Sequence, residues 1–224
     1  MSEDTHKTAD AQTLQILITE HTNLQAIRSA TIFEANGRTT LFLGAVSSSI
    51  VALAFIGQMS EMGNAFFIFA LILLPSLIFL GLVTFIRVNQ TGTEDMIASR
   101  GINRIRHYYT EVAPETERYF ILSTHDDMIG YVQNFGARAS IFQQFVSTSG
   151  LVSVINSVLT AVFVGLIGFT VLNAAPLVCV AAGVIVFVVS VALYMRYVHA
   201  HWKEDEKHLK VLFPSEPEKQ ARLS

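Results

Sequence analysis

Hydrophobic and polar positions in this chain fall into long blocks rather than into the short alternations of a soluble fold. Ala65 to Ile86, AFFIFALILLPSLIFLGLVTFI, runs 22 residues without a charge and is closed by Arg87. As a helix rising about 1.5 Å per residue it reaches roughly 33 Å, close to the roughly 30 Å of bilayer hydrocarbon. It reads as a transmembrane helix. The same test finds spans at 39–58 (TTLFLGAVSSSIVALAFIGQ), at 151–172 (LVSVINSVLTAVFVGLIGFTVL) and at 176–195, the last ended by Arg196. The pattern predicts an all-α integral membrane protein of four spans, arranged as two tandem hairpins with cytoplasmic amphipathic helices.

The organisation follows in chain order. Residues 1–38 form an N-terminal segment, with an amphipathic helix over Ala11 to Arg38 carrying an imperfect stripe of Leu14, Leu17, Ile18, Leu24 and Ile27. Gly37 is expected to loosen the chain before the first span. Hairpin 1 is 39–86, with a short turn at Met59 to Asn64 and a kink at Pro75, which lacks the backbone donor of a helix interior. Residues 87–150 turn polar and charged. Thr91-Gly-Thr-Glu94 fits a capping box opening a helix to Val112, and Thr124 with Asp127 fits a second, whose helix would run on through Phe135, Ile141, Phe142 and Phe145. Hairpin 2 is 151–195, with Asn173-Ala-Ala as its turn and Pro176 in the first turn of the last helix. Residues 196–224 continue that helix towards Pro214, and the final ten residues are expected to be disordered.

Orientation comes from charge placement. All 15 Lys and Arg lie on one side of the four spans and the two opposite loops hold none, which by the positive-inside rule makes both termini and 87–150 cytoplasmic, at a plasma (inner) membrane. Composition agrees with a membrane class: 51% apolar, 15% charged and mean hydropathy +0.46. The net charge of −3 and the single Cys179, inside an apolar run, point away from nucleic acid and from a disulfide framework. MSEDTHKTAD has neither an apolar core nor a small-residue cleavage site, so no cleaved signal peptide is expected, and Ser2 stands where myristoylation needs glycine.

A shift of 109 residues lays Asn64-Ala65 on Asn173-Ala174, Arg87 on Arg196, and Thr40, Gly44, Ser48 and Ala52 on Ser149, Ser153, Ser157 and Ala161. This predicts a parallel internal repeat. Small residues four apart share one helix face and let backbones approach, so Gly44, Ser48, Ala52, Ser153, Asn156, Ser157 and Ala161 read as a helix-packing stripe, or alternatively as the lining of a pore.

Candidate chemistry is sparse. No Asp, Glu, Lys, Arg or His falls inside a span, which disfavours a proton-coupled carrier. No nucleophile or phosphate-loop motif is present, so no catalytic residue, cofactor or metal site is expected, and no enzyme activity. His125-Asp126-Asp127 reads as helix capping rather than metal ligation, and His201, Asp205 and His208 as a solvated face. The remaining group is Arg100, Arg104, Arg106 and His107, whose donors suit phosphate, with anionic lipid headgroups as the nearest source. The function expected is a non-catalytic scaffold or sensor, a homo-oligomer whose cytoplasmic helices bind an unidentified partner or anionic lipid; the alternative is a small oligomeric channel. A reporter joined after Ser224 and another inserted near Glu61 are expected to report opposite sides of the membrane; matching signals would overturn this threading.

Overall fold

The computed structural model describes residues 2–134 and 145–215, with side chains from Ala11 onward, and among these every regular element is helical. The helices are α1 (Ser2–Met59), α2 (Asn64–Val112), a 3-10 segment (Pro114–Tyr119), α3 (Met128–Gln133), α4 (Thr148–Thr170) and α5 (Pro176–His208). Four of them, α1, α2, α4 and α5, are long and apolar enough to cross a membrane, so this is a multi-pass membrane chain.

Several expected boundaries do not exist. Gly37 lies inside α1 and Thr91 inside α2, because both helices run on without a break. A capping box works only where the preceding backbone leaves N–H groups orphaned, and here the preceding turn supplies their carbonyls. Pro75 lies inside α2, where the sequence places it. The second cap is Asp127 rather than Thr124: its carboxylate accepts from Gly130 N–H and opens α3, which ends at Gln133. The expected continuation through Ile141 and Phe142 lies outside the described residues. Ser215, counted with the disordered tail, is 4% exposed, and α5 stops at His208.

The chain divides into two compact units, one of Met1–Phe33, Thr91–Gln143 and Glu204–Ser224, the other of Glu34–Gln90 and Gln144–Lys203. The second is the apolar one. Phe42, Val46, Leu74, Leu77, Phe85, Val152 and Leu159 form its core, while Leu41, Phe55, Phe79, Leu177 and Leu193 face outward. That inversion suits a solvent of lipid, which exacts nothing for exposed Leu or Phe. Many of its polar side chains are therefore tied internally, although Thr39 Oγ1 and Asn156 Oδ1 have no partner among the described residues. Asn156, fully buried, donates from Nδ2 to the Ile78 carbonyl at 3.2 Å and to Tyr194 Oη at 2.7 Å, and the Tyr194 ring meets Phe85 at 4.5 Å. Glu34 is held by Arg87 (2.8 Å) and Arg38 (2.9 Å), whose guanidinium hydrogen bonds bring its pKa down to about 2.

Asn156 fits because Gly81 has no side chain: a Cβ there would stand 2.3 Å from Asn156 Oδ1 and 2.9 Å from the Phe42 ring. Gly81→Ala is expected to destabilise the folded protein by about 1–3 kcal/mol, since the amide must leave both partners to make room. Gly37→Ala, with nothing within 4 Å of the new methyl, is the control. It is expected to keep wild-type stability or gain up to about 1 kcal/mol in a denaturant titration in micelles, because Ala suits a helix interior better than Gly.

Candidate functional site

The unit formed by the N-terminal, central and C-terminal segments has a core that is polar as much as apolar. Beside Met96, Ala98, Ile102, Ile105 and Tyr131 it buries Asp95, Ser99, Arg100, Asn103, Asp126 and Ser215. Each buried polar group away from water needs a partner, and following those partners traces the site.

Asn103, with no exposure, is one hub. Its Nδ2 donates to the His125 carbonyl at 2.8 Å, and its Oδ1 accepts from Arg106 Nη1 at 3.2 Å and from Asn134 Nδ2 at 3.0 Å. Asn134 in turn accepts from Ser123 N–H at 2.8 Å, so Asn103 of α2 holds both the loop before α3, at His125, and the residue after it, Asn134. Gly130 is obligatory in this arrangement: a Cβ would stand 2.1 Å from the His125 carbonyl oxygen, a backbone atom that cannot swing aside. Arg28 pairs with Asp95 at 2.8 Å, and Tyr131 beside them has its hydroxyl pKa raised, first by burial and then by the Asp95 charge.

Asp126 is the second hub and also fully buried. Its carboxylate accepts from Arg104 Nε at 2.6 Å, from Leu212 N–H at 3.1 Å and from Phe213 N–H at 2.8 Å, while its own N–H donates to the Phe213 carbonyl at 3.2 Å. Asp127 accepts from Ser215 N–H at 2.7 Å and Ser215 Oγ at 3.0 Å. Arg104 Nη2 also donates to the Lys210 carbonyl, and the Phe213 ring stacks on His107 with centroids 3.8 Å apart. The result is a strap, residues 210–215, fastened by two adjacent carboxylates. Burial alone would raise the Asp126 pKa, but the Phe213 and Leu212 amides and the Arg104 guanidinium outweigh it and the net shift is downward.

Of the four residues singled out for phosphate, Arg100, Arg104 and His107 all converge on this clasp: Arg100 is buried, His107 half-buried, and the Arg104 side chain is 37% exposed. Arg100 is 2% exposed, its Nε donating to the Asp126 carbonyl, and its Nη1 and Nη2 are buried without an acceptor among the described residues. Burial draws its pKa below the usual arginine value, and likewise that of Arg106. The carboxylates and the strap were not legible as parts of a site, because 86 residues separate Asp126 from Leu212. Their one sequence signal was the adjacent acidic pair.

The small-residue group divides. Ser153, Asn156 and Ser157 are buried: Ser153 Oγ donates to the Gly150 carbonyl, and Ser157 Oγ to the Ser153 carbonyl, with Ser190 Oγ 3.0 Å away. Ala161 is half-buried, its carbonyl 3.3 Å from where a Cβ of Gly183 would stand. Gly44 and Ser48 are exposed and Ala52 half-buried. Asp205, on the face read as solvated, accepts from Thr93 Oγ1 at 2.7 Å, and His208 lies 3.4 Å from Glu204. Comparisons with protein-family models, with curated proteins and with solved structures give no match.

Asp126 sets the acid limit of the clasp. A carboxyl whose folded pKa lies below its unfolded 3.8 contributes stability that is complete above pH 3.8 and is lost as pH falls through the folded value. Hydrogen exchange at the Leu212 and Phe213 amides is therefore expected to show equal protection factors from pH 8 to about 5, then a loss well below 4. Asp126→Asn is expected to lower protection at neutral pH by about 1–3 kcal/mol, because charged acceptors bind more strongly than neutral ones.

Proposed function

We propose that this chain is a non-catalytic scaffold or sensor of the plasma (inner) membrane. The observation that carries this reading is how the polar side chains of the third span are spent. Ser153, Asn156, Ser157 and Thr160 all hydrogen-bond to helix carbonyls, and Asn156 and Ser157 also reach the second and fourth spans. A conducting wall needs such groups turned to water; a packing seam needs them turned inward.

The rest of the reading stands on sequence and contact together. Both termini and the 87–150 segment are assigned to the cytoplasm on the placement of the 15 basic residues. A parallel duplication is supported by the 109-residue shift, which also carries Phe85 onto Tyr194, two rings in contact, although Glu34 becomes Gln143 and the Glu34–Arg87 pair is not repeated. Homo-oligomerisation is assigned to the exposed row of Gly44 and Ser48, which would admit a second copy closely. The polar unit, with Arg100, Arg104, Arg106 and His107, is assigned the recognition of a partner or of anionic lipid headgroups.

In a Cys179→Ser background, Ser153→Cys and Ser157→Cys are expected to resist a water-soluble thiol reagent in intact proteoliposomes, which should also show background ion flux. Rapid labelling at both positions together with flux would replace the scaffold with an oligomeric channel.

A further inference from the structure

Three features outside the apolar core invite explanation. A recess of about 560 Å³ beside Phe67, Leu71 and Phe169 opens between the two hairpin turns, but nothing in it selects an occupant. His107 and His125 each keep a buried Nδ1 without a partner, yet their ring centroids are 6.4 Å apart, and among the described residues no third ligand joins them. The third feature is Arg100, and it goes further.

A guanidinium 2% exposed with both Nη groups lacking an acceptor is costly, and such donors are ordinarily matched. Asp126, Glu206 and Asp127 stand near enough to balance its charge electrostatically, but none accepts from Nη1 or Nη2. Arg104 beside it is engaged at two of its donors, Nε on Asp126 and Nη2 on the Lys210 carbonyl. His107 lies under Phe213. Thus the strap engages two of the four phosphate-suited side chains, Arg104 and His107, while Arg106 bonds to Asn103 and Arg100 retains a free donor pair.

We infer that residues 210–215 are an autoinhibitory latch over an anion site whose donors are Arg100 and Arg104, and that a phosphate monoester opens it. This rests on the anionic-ligand part of the function proposed above. With the latch closed, the Asp126 carboxylate stands where the anion would, held by Arg104 and by the Leu212 and Phe213 amides. Lifting the strap removes both amides from Asp126 and the Lys210 carbonyl from Arg104, leaving two adjacent guanidinium groups for one multiply charged acceptor. Arginine forks fit phosphate oxygens in pairs, which a halide cannot reproduce. The nearby carboxylates set a threshold that a monoanion is too weakly charged to cross.

The test uses the full chain in neutral detergent micelles, with dioctanoyl phosphatidic acid and inorganic phosphate as separate probes. Phe213→Ala removes the ring over His107 and leaves every strap amide in place; Leu212→Pro removes one amide from Asp126. Trypsin cleavage after Lys210 reports whether each variant is open, and gel filtration whether it is folded. Opened variants are expected to bind phosphatidic acid at least about ten-fold more tightly than wild type, with the gain abolished by adding Arg100→Gln and Arg104→Gln. An equal gain with inorganic phosphate identifies the phosphate group alone as the ligand; a gain confined to the lipid identifies a headgroup. Opened, folded variants that bind neither probe better than wild type overturn the latch, as does a gain that survives both Gln substitutions. Wild type binding lipid as tightly as the opened forms would remove the latch and leave the lipid-binding reading intact. Scaffold and channel are decided separately by thiol labelling and flux.

Discussion

A polar group taken out of water must find its partner inside the chain, and both units are arranged around that requirement. Asn103, Asp126, Asn156 and Ser157 have no exposure at all, and each joins segments distant in sequence or braces the backbone of its own helix. In the apolar unit the requirement is absolute, since lipid offers neither donors nor acceptors. There Asn156 reaches two other helices, and its bulk is accommodated only because position 81 is glycine. Apolar packing alone would tolerate many rotations of these helices. The amide accepts few.

In the polar unit the same requirement acts through charge. Asp126 gathers a guanidinium and two backbone amides, a set of donors that a neutral side chain would hold less firmly. Asp127 divides its carboxylate between capping α3 and holding Ser215, so one residue both starts a helix and ends the strap. Local structure and long-range closure are thereby coupled: the turn that presents Asp126 is the turn that Asp127 caps. Among the described residues Arg100 is one of several exceptions to this satisfaction, beside Ser99, His107 and His125 in the same unit, and it is the one that carries a charge.

How much of this was readable from the chain depends on the range of the physics. Four uninterrupted apolar runs determine four long helices, because in a membrane a segment of that length has no other way to satisfy its backbone. Pro176 at a helix start was also legible, being an effect that acts within one turn, and a cap was expected at Thr124, three residues before the Asp127 that serves. The breaks expected at Gly37 and Thr91 were not real, since a glycine or a capping motif ends a helix only where the neighbouring turn is otherwise unsatisfied, and that depends on what the helix packs against.

Tertiary structure decided the rest. The arginines of α2 looked like an open basic face because their spacing places them on one side of a helix. Only folding showed Arg100 buried and Arg104 engaged, by the Asp126 carboxylate 22 residues along and by the Lys210 carbonyl 106 residues away. The small-residue rows of the two hairpins are alike in sequence, yet Ser153 and Ser157 are buried while Gly44 and Ser48 are not. Periodicity says which residues share a helix face. Whether that face meets another helix, a strap or the surroundings is set by contacts between segments far apart in the chain, and no local pattern encodes them.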